Sequence, residues 1–472
     1  MREAIANVVP IHGHIVFYNS LNGGTVQLTS PLVVNGKPVA INPVNLPSGL
    51  TLTGLGGTRV FEVRNGGSLS VSNCVIRDGS SSDGGAGILN DGGTVAMNDC
   101  TLRGNSAGGA LGEGGAIRAL NGANTTLNRC RLEGNSAVSG GGAISSIGAL
   151  VCTDTSFHGN SSGDFGGALY CSSGSVNLNR CTFGGSSAVG DGGAIYDNRQ
   201  SETIITHCTV SDNGAGSAAG IHTEGLLFLD CCTVADNTAD LLAGGVHVSA
   251  GSMMIENTIV AGNTAPEHPD LCKAPGAAPI TVIGSNLIGN NSTVAAEFPA
   301  GPLAGTPASP LLPLLAPLAD FGGHTEVMIV LPGSPAIETG STTYTEDQLM
   351  RSRPYGPLPD VGAVEARIPT EFDFVDLDND GIDDRLEPAY GLVVGEDDSG
   401  VDTDQDGSPD AEELGNMTNP LDPSDFFRIV SIARAAGYTP ADPRFAVAAA
   451  TFPGLWYTFL SGESPAGPFQ PY

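Results

Sequence analysis

Two stretches of alternating acids carry the clearest chemistry in this 472-residue chain. Asp376, Asp378, Asp380, Asp384 and Glu387 stand at loop positions 1, 3, 5, 9 and 12, with the carbonyl of Ile382 at position 7. Asp402, Asp404, Asp406, Asp410 and Glu413 repeat that spacing 26 residues later, with Ser408 at position 7. Carboxylates alternating through a tight turn converge on one hard cation, and a terminal Glu can bind through both oxygens. Gly381 and Gly407 permit the bend. Ca2+ is therefore the expected cofactor, in two sites; the alternative is a solvated acidic linker. Pro388 falls where the exiting helix of an EF-hand would continue, which favours isolated loops over paired EF-hands.

A second set of titratable residues is more dispersed: Asp197, His222, Glu224 and His247. Brought together on a groove, they could do acid–base work on a polysaccharide. Tyr and His rings beside them could stack on sugars. No Lys or Arg accompanies them in this reading, and a polar surface column repeated by the chain's own periodicity accounts for them equally. Binding without catalysis is the expectation, with a polysaccharide lyase or glycoside hydrolase as the alternative.

The elements that must position these groups follow from a repeat. A Cys followed two residues later by an aliphatic or Phe, and usually then by Asn, recurs from Cys74-Val-Ile76 to Thr258-Ile-Val260 at spacings of 24 to 30 residues. Gly-Gly, a small residue and an aliphatic run in phase, as in Gly114-Gly-Ala-Ile117, Gly166-Gly-Ala-Leu169 and Gly192-Gly-Ala-Ile195. Such self-similarity signals a solenoid. Apolar residues five and three before the anchor, at the anchor and two after it, such as Val176, Leu178, Cys181 and Phe183, alternate as in strands with one buried face. The period leaves no room for a helix, and leucine-rich spacing is absent. The fold class expected is all-β, a right-handed parallel β-helix, and the position after each Gly-Gly-x-Ile marker (Arg118, Ser145, Tyr170, Tyr196, His222, His247) should point outward.

Composition agrees: 67 glycines, 15% charged residues and 40% hydrophobic residues suit a long thin core. The net charge of −31 excludes nucleic acid as a partner. From Glu371 to Asp425 there are 19 acids against one base, so 18 of those excess charges sit in that stretch. No apolar run reaches transmembrane length. Among the ten cysteines, Cys74, Cys100, Cys130, Cys181, Cys208 and Cys232 occupy the anchor column, where Thr155 and Thr258 substitute. Stacked thiols pack as small hydrophobes, and parallel Cβ vectors suit disulfides poorly; packing is the expectation and some disulfides the alternative. Cys231 and Cys272 are the least constrained.

Arg2-Glu-Ala-Ile5, Ile15-Val-Phe-Tyr18, Thr25–Ser30 and Arg59-Val-Phe61 resemble the CSLREA-type amino-terminal region of bacterial surface β-helix proteins. That resemblance implies a short capping helix, an export signal further upstream and a chain that starts inside a longer protein, because Met1 stands at the family's Leu. The coils, with Phe157-His-Gly-Asn160 and Gly166-Gly-Ala-Leu169, resemble the repeats of chlamydial polymorphic outer-membrane proteins. Pro317–Gly323, Leu331–Ile337 and Asp360–Glu365 resemble the choice-of-anchor Q ending of such proteins. The acidic loops, with Thr418-Asn-Pro-Leu-Asp-Pro423, resemble thrombospondin type 3-like repeats, which implies a calcium-stiffened spacer. The expected divisions are a cap and first coils (1–68), β-helix repeats (69–290), a Pro-rich segment closing the carboxyl end (291–366), calcium repeats (371–425) and a small β-rich piece (426–472). Within the last, Phe427–Ile432 and Leu455–Phe459 are candidate strands. Together these resemblances imply a secreted or surface-displayed protein whose partners are glycans or cell-surface components.

Overall fold

A computed structural model describes residues 1–7, 14–15, 17–367 and 375–425, together with the backbone of the strands Arg428–Arg434, Phe445–Ala450, Leu460–Ser461 and Gln470–Pro471. One coil explains the rest. Leu169–Asn179 is a strand; Arg180 turns the corner in the left-handed region at φ 52°; Thr182–Gly184 is the second strand; Gly185 turns at φ 60°; Ser187–Asp191 is the third. Gly192 (φ 72°) and Gly193 then carry the chain to Ile195, where the next coil begins. The marker glycines have separate reasons. Gly192 needs the left-handed backbone, and a Cβ on Gly193 would stand 2.4 Å from the carbonyl oxygen of Ala219 in the next coil.

Successive coils pair in parallel, residue on residue. Leu169, Ile195, Ile221, Val246 and Leu271 form one inward aliphatic column. The columns merge into sheets of 17, 11 and 7 strands, the architecture of a parallel β-helix. In the early coils the first sheet receives two short strands, such as Ile88–Asp91 and Thr94–Asn98, which fuse into one in the middle coils. Phe157 and Phe183 stack inside with ring centroids 4.4 Å apart. Each such fully buried apolar side chain contributes about 1.5–3 kcal/mol.

The anchor column is a hydrogen-bonded corner. The Cys181 backbone N–H donates to Cys208 Sγ at 3.2 Å, while the Cys208 thiol lies 3.2 Å from the Thr206 carbonyl. Threonine does the same: the Cys130 N–H donates to Thr155 Oγ1 at 3.3 Å, and that hydroxyl donates to the Thr153 carbonyl at 2.9 Å. Cys and Thr interchange because both accept from one coil and donate within their own. All ten cysteines are free and buried, Cys231 and Cys272 included.

The asparagines form a directed ladder. Asn135 Nδ2 donates to Asn160 Oδ1 at 3.0 Å, Asn213 Nδ2 to Asn237 Oδ1 at 2.8 Å, and Asn237 Nδ2 to Asn263 Oδ1 at 2.9 Å. Ser186 stands in the gap, accepting from the Asn160 N–H and donating its own N–H to Asn213 Oδ1. The ladder ends on Asp270, which accepts from both the N–H and Nδ2 of Asn263 at 3.0 Å. The last rung needs only to accept, so a carboxyl fits there.

Helix Arg2–Asn7 buries Ile5 in the core at the amino end. At the other end Val294, Phe298 and Ala304 join that core, and Lys273 pairs with Glu297. The expectation that all of 291–366 closes the carboxyl end needs correcting. The closure is made by residues up to about 305, whereas 311–367 folds back along the second sheet. There Gln348 bonds Thr182 and Thr209, at 3.0 and 2.7 Å, and the Ala363 N–H donates to Thr233 Oγ1 at 3.1 Å. The outward column of that sheet changes accordingly, from Thr101, Arg131 and Ser156 to Thr182, Thr209, Thr233, Ile259 and Leu287. Charge gives way to hydroxyl, then to aliphatic, as the covering begins.

The acidic segment is packed on that covering. Ile382, Leu386, Tyr390 and Leu414 share one buried cluster with Phe321, Leu331, Leu349 and Val364. Arg385 lies over the Phe321 ring at 4.4 Å. The segment expected as a calcium-stiffened spacer is docked on the covering over residues 375–425. Of the candidate carboxyl-terminal strands, one runs from Arg428 to Arg434 and pairs antiparallel with Phe445–Ala450. Phe427, the segment Leu455–Phe459 and residues 368–374 lie outside the described residues.

Candidate functional site

The two acidic loops are conformational copies. The N–H groups of Asp384 and Asp410 donate to the carbonyls of Val375 and Val401, both at 2.8 Å. Gly381 and Gly407 donate their N–H groups to Asp376 and Asp402, and Ile382 and Ser408 donate theirs to Asp380 and Asp406 at 2.7 and 2.8 Å. Those bonds fold the alternating acids inward. Carboxylate oxygens of Asp376, Asp378 and Asp384 lie within 4.8 Å of one another, as do those of Asp378, Asp380 and Glu387, and those of Asp402, Asp404 and Asp406.

These residues fit a cation. Glu387 and Glu413 are 0% and 1% exposed, yet both oxygens of Glu387 and one of Glu413 have no hydrogen-bond partner. Asp378, Asp402, Asp404 and Asp406 each hold one more buried, unpartnered oxygen. Buried polar atoms are normally satisfied. Burial and the neighbouring carboxylates push Glu387 up to about 7 and Glu413 up to about 8. Two further expected ligands are held by the loop and the cluster beside it. Asp410 is fully engaged by the N–H and hydroxyl of Thr403, at 2.9 and 2.6 Å, so it grips its own loop. The side chain of Ile382 packs in the apolar cluster, which leaves its backbone carbonyl as the group expected at position 7.

The second set divides across the first sheet. Arg118, Ser145, Tyr170, Tyr196, His222 and His247 do align residue on residue. They do not offer free ring faces, however. Tyr196 and His222 stack on each other at 4.6 Å, Phe165 leans on Tyr196 at 4.7 Å, and His247 meets His222 edge-on at 5.1 Å. Tyr196 and His222 are buried at 7% and 4% exposure. His222 Nε2 pairs with Ser249 Oγ at 2.8 Å, and Nδ1 lies 3.7 Å from Asp191. Burial, then the neighbouring His247, pulls His222 down to about 4; burial lowers His247 too.

Asp197 lies on the other side of that sheet. It is fully buried in the interior, accepting from Ser201, Thr203 and Thr223 at 2.5, 2.6 and 2.7 Å, and burial raises it despite those donors. It therefore does not join His222. Glu224 does, accepting from the Tyr196 hydroxyl at 3.2 Å. A base that sequence reasoning missed is also present: Arg199 Nε donates to Glu224 at 2.7 Å. Burial raises Glu224, but the bonds from Arg199 and Tyr196 outweigh it and hold the carboxyl below its usual range. The 25-residue separation of the pair, one coil, was the available signal.

A further site was not foreshadowed. At the corner between the first and second sheets, Arg129 bridges Asp99 at 2.7 and 2.9 Å, and Arg180 bridges Asp154 at 2.6 and 3.1 Å. Beyond Arg180 the folded-back segment encloses a cleft of about 370 Å3 beside His207 and Tyr344.

Among known protein families, residues 154–172 match the Chlamydia polymorphic membrane protein (Chlamydia_PMP) repeat. That stretch is one coil, from the Thr155 anchor through Asn160 to the Gly166-Gly167 marker. No curated protein and no solved structure matches the chain. No helix among the described residues is long and apolar enough to cross a membrane.

Proposed function

We propose that this chain is a secreted or surface-associated β-helix protein that binds glycans or other cell-surface components without cleaving them, and that its acidic loops hold two Ca2+ ions. The observation that carries the reading is the contrast between faces of one strand. Inward, Ile117, Ile144, Leu169, Ile195, Ile221 and Val246 stay within one chemical class; outward, Arg118, Ser145, Tyr170, Tyr196, His222 and His247 pass from guanidinium through hydroxyl and phenol to imidazole. Packing explains the first column. A recognition face made by the half-exposed members, Arg118, Tyr170 and His247, with affinity adding over several weak contacts, explains the second.

The match to a polymorphic membrane protein repeat supports surface location, and the CSLREA-like start and choice-of-anchor Q-like segment agree with export and display. Calcium is favoured over a softer metal because every expected ligand in the loops offers oxygen. The thrombospondin type 3-like character of these loops supports a stiffening role.

Arg199 beside Glu224 and His222 favours a second reading, a polysaccharide lyase or glycosidase, because acid, base and charge stabiliser then lie on one groove. Incubation with pectin, alginate and neutral polysaccharides separates the two. Retention on a polymer or cell surface with no release of unsaturated or reducing sugars is expected. Cleavage that disappears in His222→Ala or Glu224→Gln would establish the enzyme instead.

A further inference from the structure

Where the folded-back segment crosses the corner beyond Arg180, it does not touch the β-helix throughout. It leaves the cleft of about 370 Å3, lined on the solenoid side by Asn177, Asn179, Arg180 and His207 and on the other by Tyr344 and Glu346. That volume lies at the small end of ligand pockets, about 300–1,000 Å3. Its chemistry is particular. Asn177 and Asn179 are two apart on one strand, so both amides project from the same face. Tyr344 is 43% exposed, meets the His207 ring edge-on at 4.6 Å and turns its hydroxyl to Asp230. His207 is 6% exposed, and its Nε2 has no hydrogen-bond partner.

Charge narrows the ligand. The one guanidinium in the cleft, Arg180, is already held by both oxygens of Asp154, and Glu346 adds a further negative charge. Burial, then Arg353 and Arg180, keeps the His207 ring neutral. Among the described residues no cationic group lining the cleft is left for a phosphate or a uronate, and the lining has too few apolar atoms for a lipid. Paired amides, an unmatched ring nitrogen and one open aromatic face remain, which suit a polyhydroxylated ring.

We infer that this cleft is a subsite for one neutral sugar residue, a hexose or N-acetylhexosamine unit. The ring rests on Tyr344, and its hydroxyls reach Asn177, Asn179 and His207. The inference deepens the glycan-binding reading and rests on it, adding that the recognised sugar is uncharged.

Saturation-transfer NMR on the full chain tests it, with glucose, galactose, N-acetylglucosamine and galacturonate as probes. At least one neutral sugar should bind and galacturonate should not. Tyr344→Ala and Asn177→Ala should each weaken binding by about tenfold, the scale of one lost ring or amide contact. Asn177 is exposed on its strand, so its variant folds normally and keeps the test valid if Tyr344→Ala does not. Three results overturn the inference: no neutral sugar binds, galacturonate binds best, or both variants bind unchanged. Adhesion to polysaccharide-coated surfaces is read in parallel. Adhesion without monosaccharide binding refutes the subsite alone. Monosaccharide binding without adhesion sinks the broader reading and leaves the subsite standing.

Discussion

Replacing Asn237 by Leu tests whether the internal amide ladder, rather than apolar packing alone, holds the coils in register. The two side chains are similar in size, so the change removes polarity and little volume. Asn237 is fully buried, and its amide makes five hydrogen bonds. The two hydrogens of Nδ2 are shared among Asn263 Oδ1, the Val210 carbonyl and the Ala235 carbonyl, each at 2.9 Å. Oδ1 accepts the Asn213 backbone N–H at 3.1 Å and Asn213 Nδ2 at 2.8 Å. Asn213 Nδ2 keeps the Phe183 and Ser211 carbonyls, but no other acceptor faces its backbone N–H. An orphaned buried donor costs about 1–3 kcal/mol and each lost neutral bond about 0.5–1.5 kcal/mol, so the variant should lose about 3–6 kcal/mol. Asn128→Leu is the control. It removes a partly buried outer amide bonded only to Asn98, at 3.3 Å, and should change stability by less than about 0.5 kcal/mol. Guanidinium unfolding followed by far-UV circular dichroism gives both numbers. Amide exchange at Asn213 localises the loss, because coils couple mainly to their neighbours. If Asn237→Leu loses less than about 1 kcal/mol, or no more than the control, the ladder is a passenger of the packing.

Calcium should protect residues 375–425 from proteases, and chelator or Glu387→Gln should remove protection at the first loop; equal cleavage with and without the ion defeats this assignment. His222 should make the fold acid-sensitive. Its folded pKa of about 4 lies below the ordinary 6.5, so the folded state binds fewer protons between those values. That contribution is complete above about pH 6.5 and is lost as pH falls toward 4, by up to about 3 kcal/mol. Asp191, Glu224, His247 and Tyr196 face this ring, and the raised Asp270 at about 6 works oppositely, so the readout is the difference in pH–stability slope between the wild type and His222→Gln; identical slopes refute it. Burial pushes Cys74 and Cys232 up to about 12. All six anchor thiols are buried and should resist alkylation until the coils unfold, and fast labelling of native protein or several disulfides among them would end the packed-column account.

The solenoid was legible because its causes recur. Gly192 and Gly193 each satisfy a constraint that every coil imposes, and the interchange of Cys with Thr marks a corner needing an acceptor and a donor. The loops were legible for a related reason, since ligand spacing is local in the chain. Two failures came from relations the local pattern does not state. Asp197 was grouped with Tyr196 by proximity, although strict alternation from inward Ile195 through outward Tyr196 places Asp197 inside. Arg199 was overlooked because its partner, Glu224, is a full coil away. The return of 311–367 along the second sheet has no periodic signature of its own. Its trace is on the partner surface, where Arg131 gives way to Thr182, Thr209, Thr233 and Ile259.

That covered surface bears on what the cation does. Docking of the acidic segment buries Ile382, Leu386, Tyr390 and Leu414, contributing roughly 6–12 kcal/mol as an upper bound on area alone. Opposing it are carboxylates held within 4.8 Å of one another in three groups. Solvent screens the more open of these carboxylates, but at this spacing their like charges still favour opening of the loops. The charge on the loops therefore works against the docking. Protonation of Glu387 or Glu413 relieves part of the repulsion; a divalent ion would relieve more of it and also satisfy their unpartnered oxygens. The ligands and the docking residues are interleaved, with Ile382 between Asp380 and Asp384 and Leu386 beside Glu387. A loop that opens for want of a cation therefore withdraws its apolar side chains from Phe321 and Leu349 as well. Loss of calcium should thus expose both the acidic loops and the flank of the β-helix beneath them. Protease cleavage extending to 311–367 on chelation is the mark of that coupling, and cleavage confined to 375–425 would show that the two unfold independently.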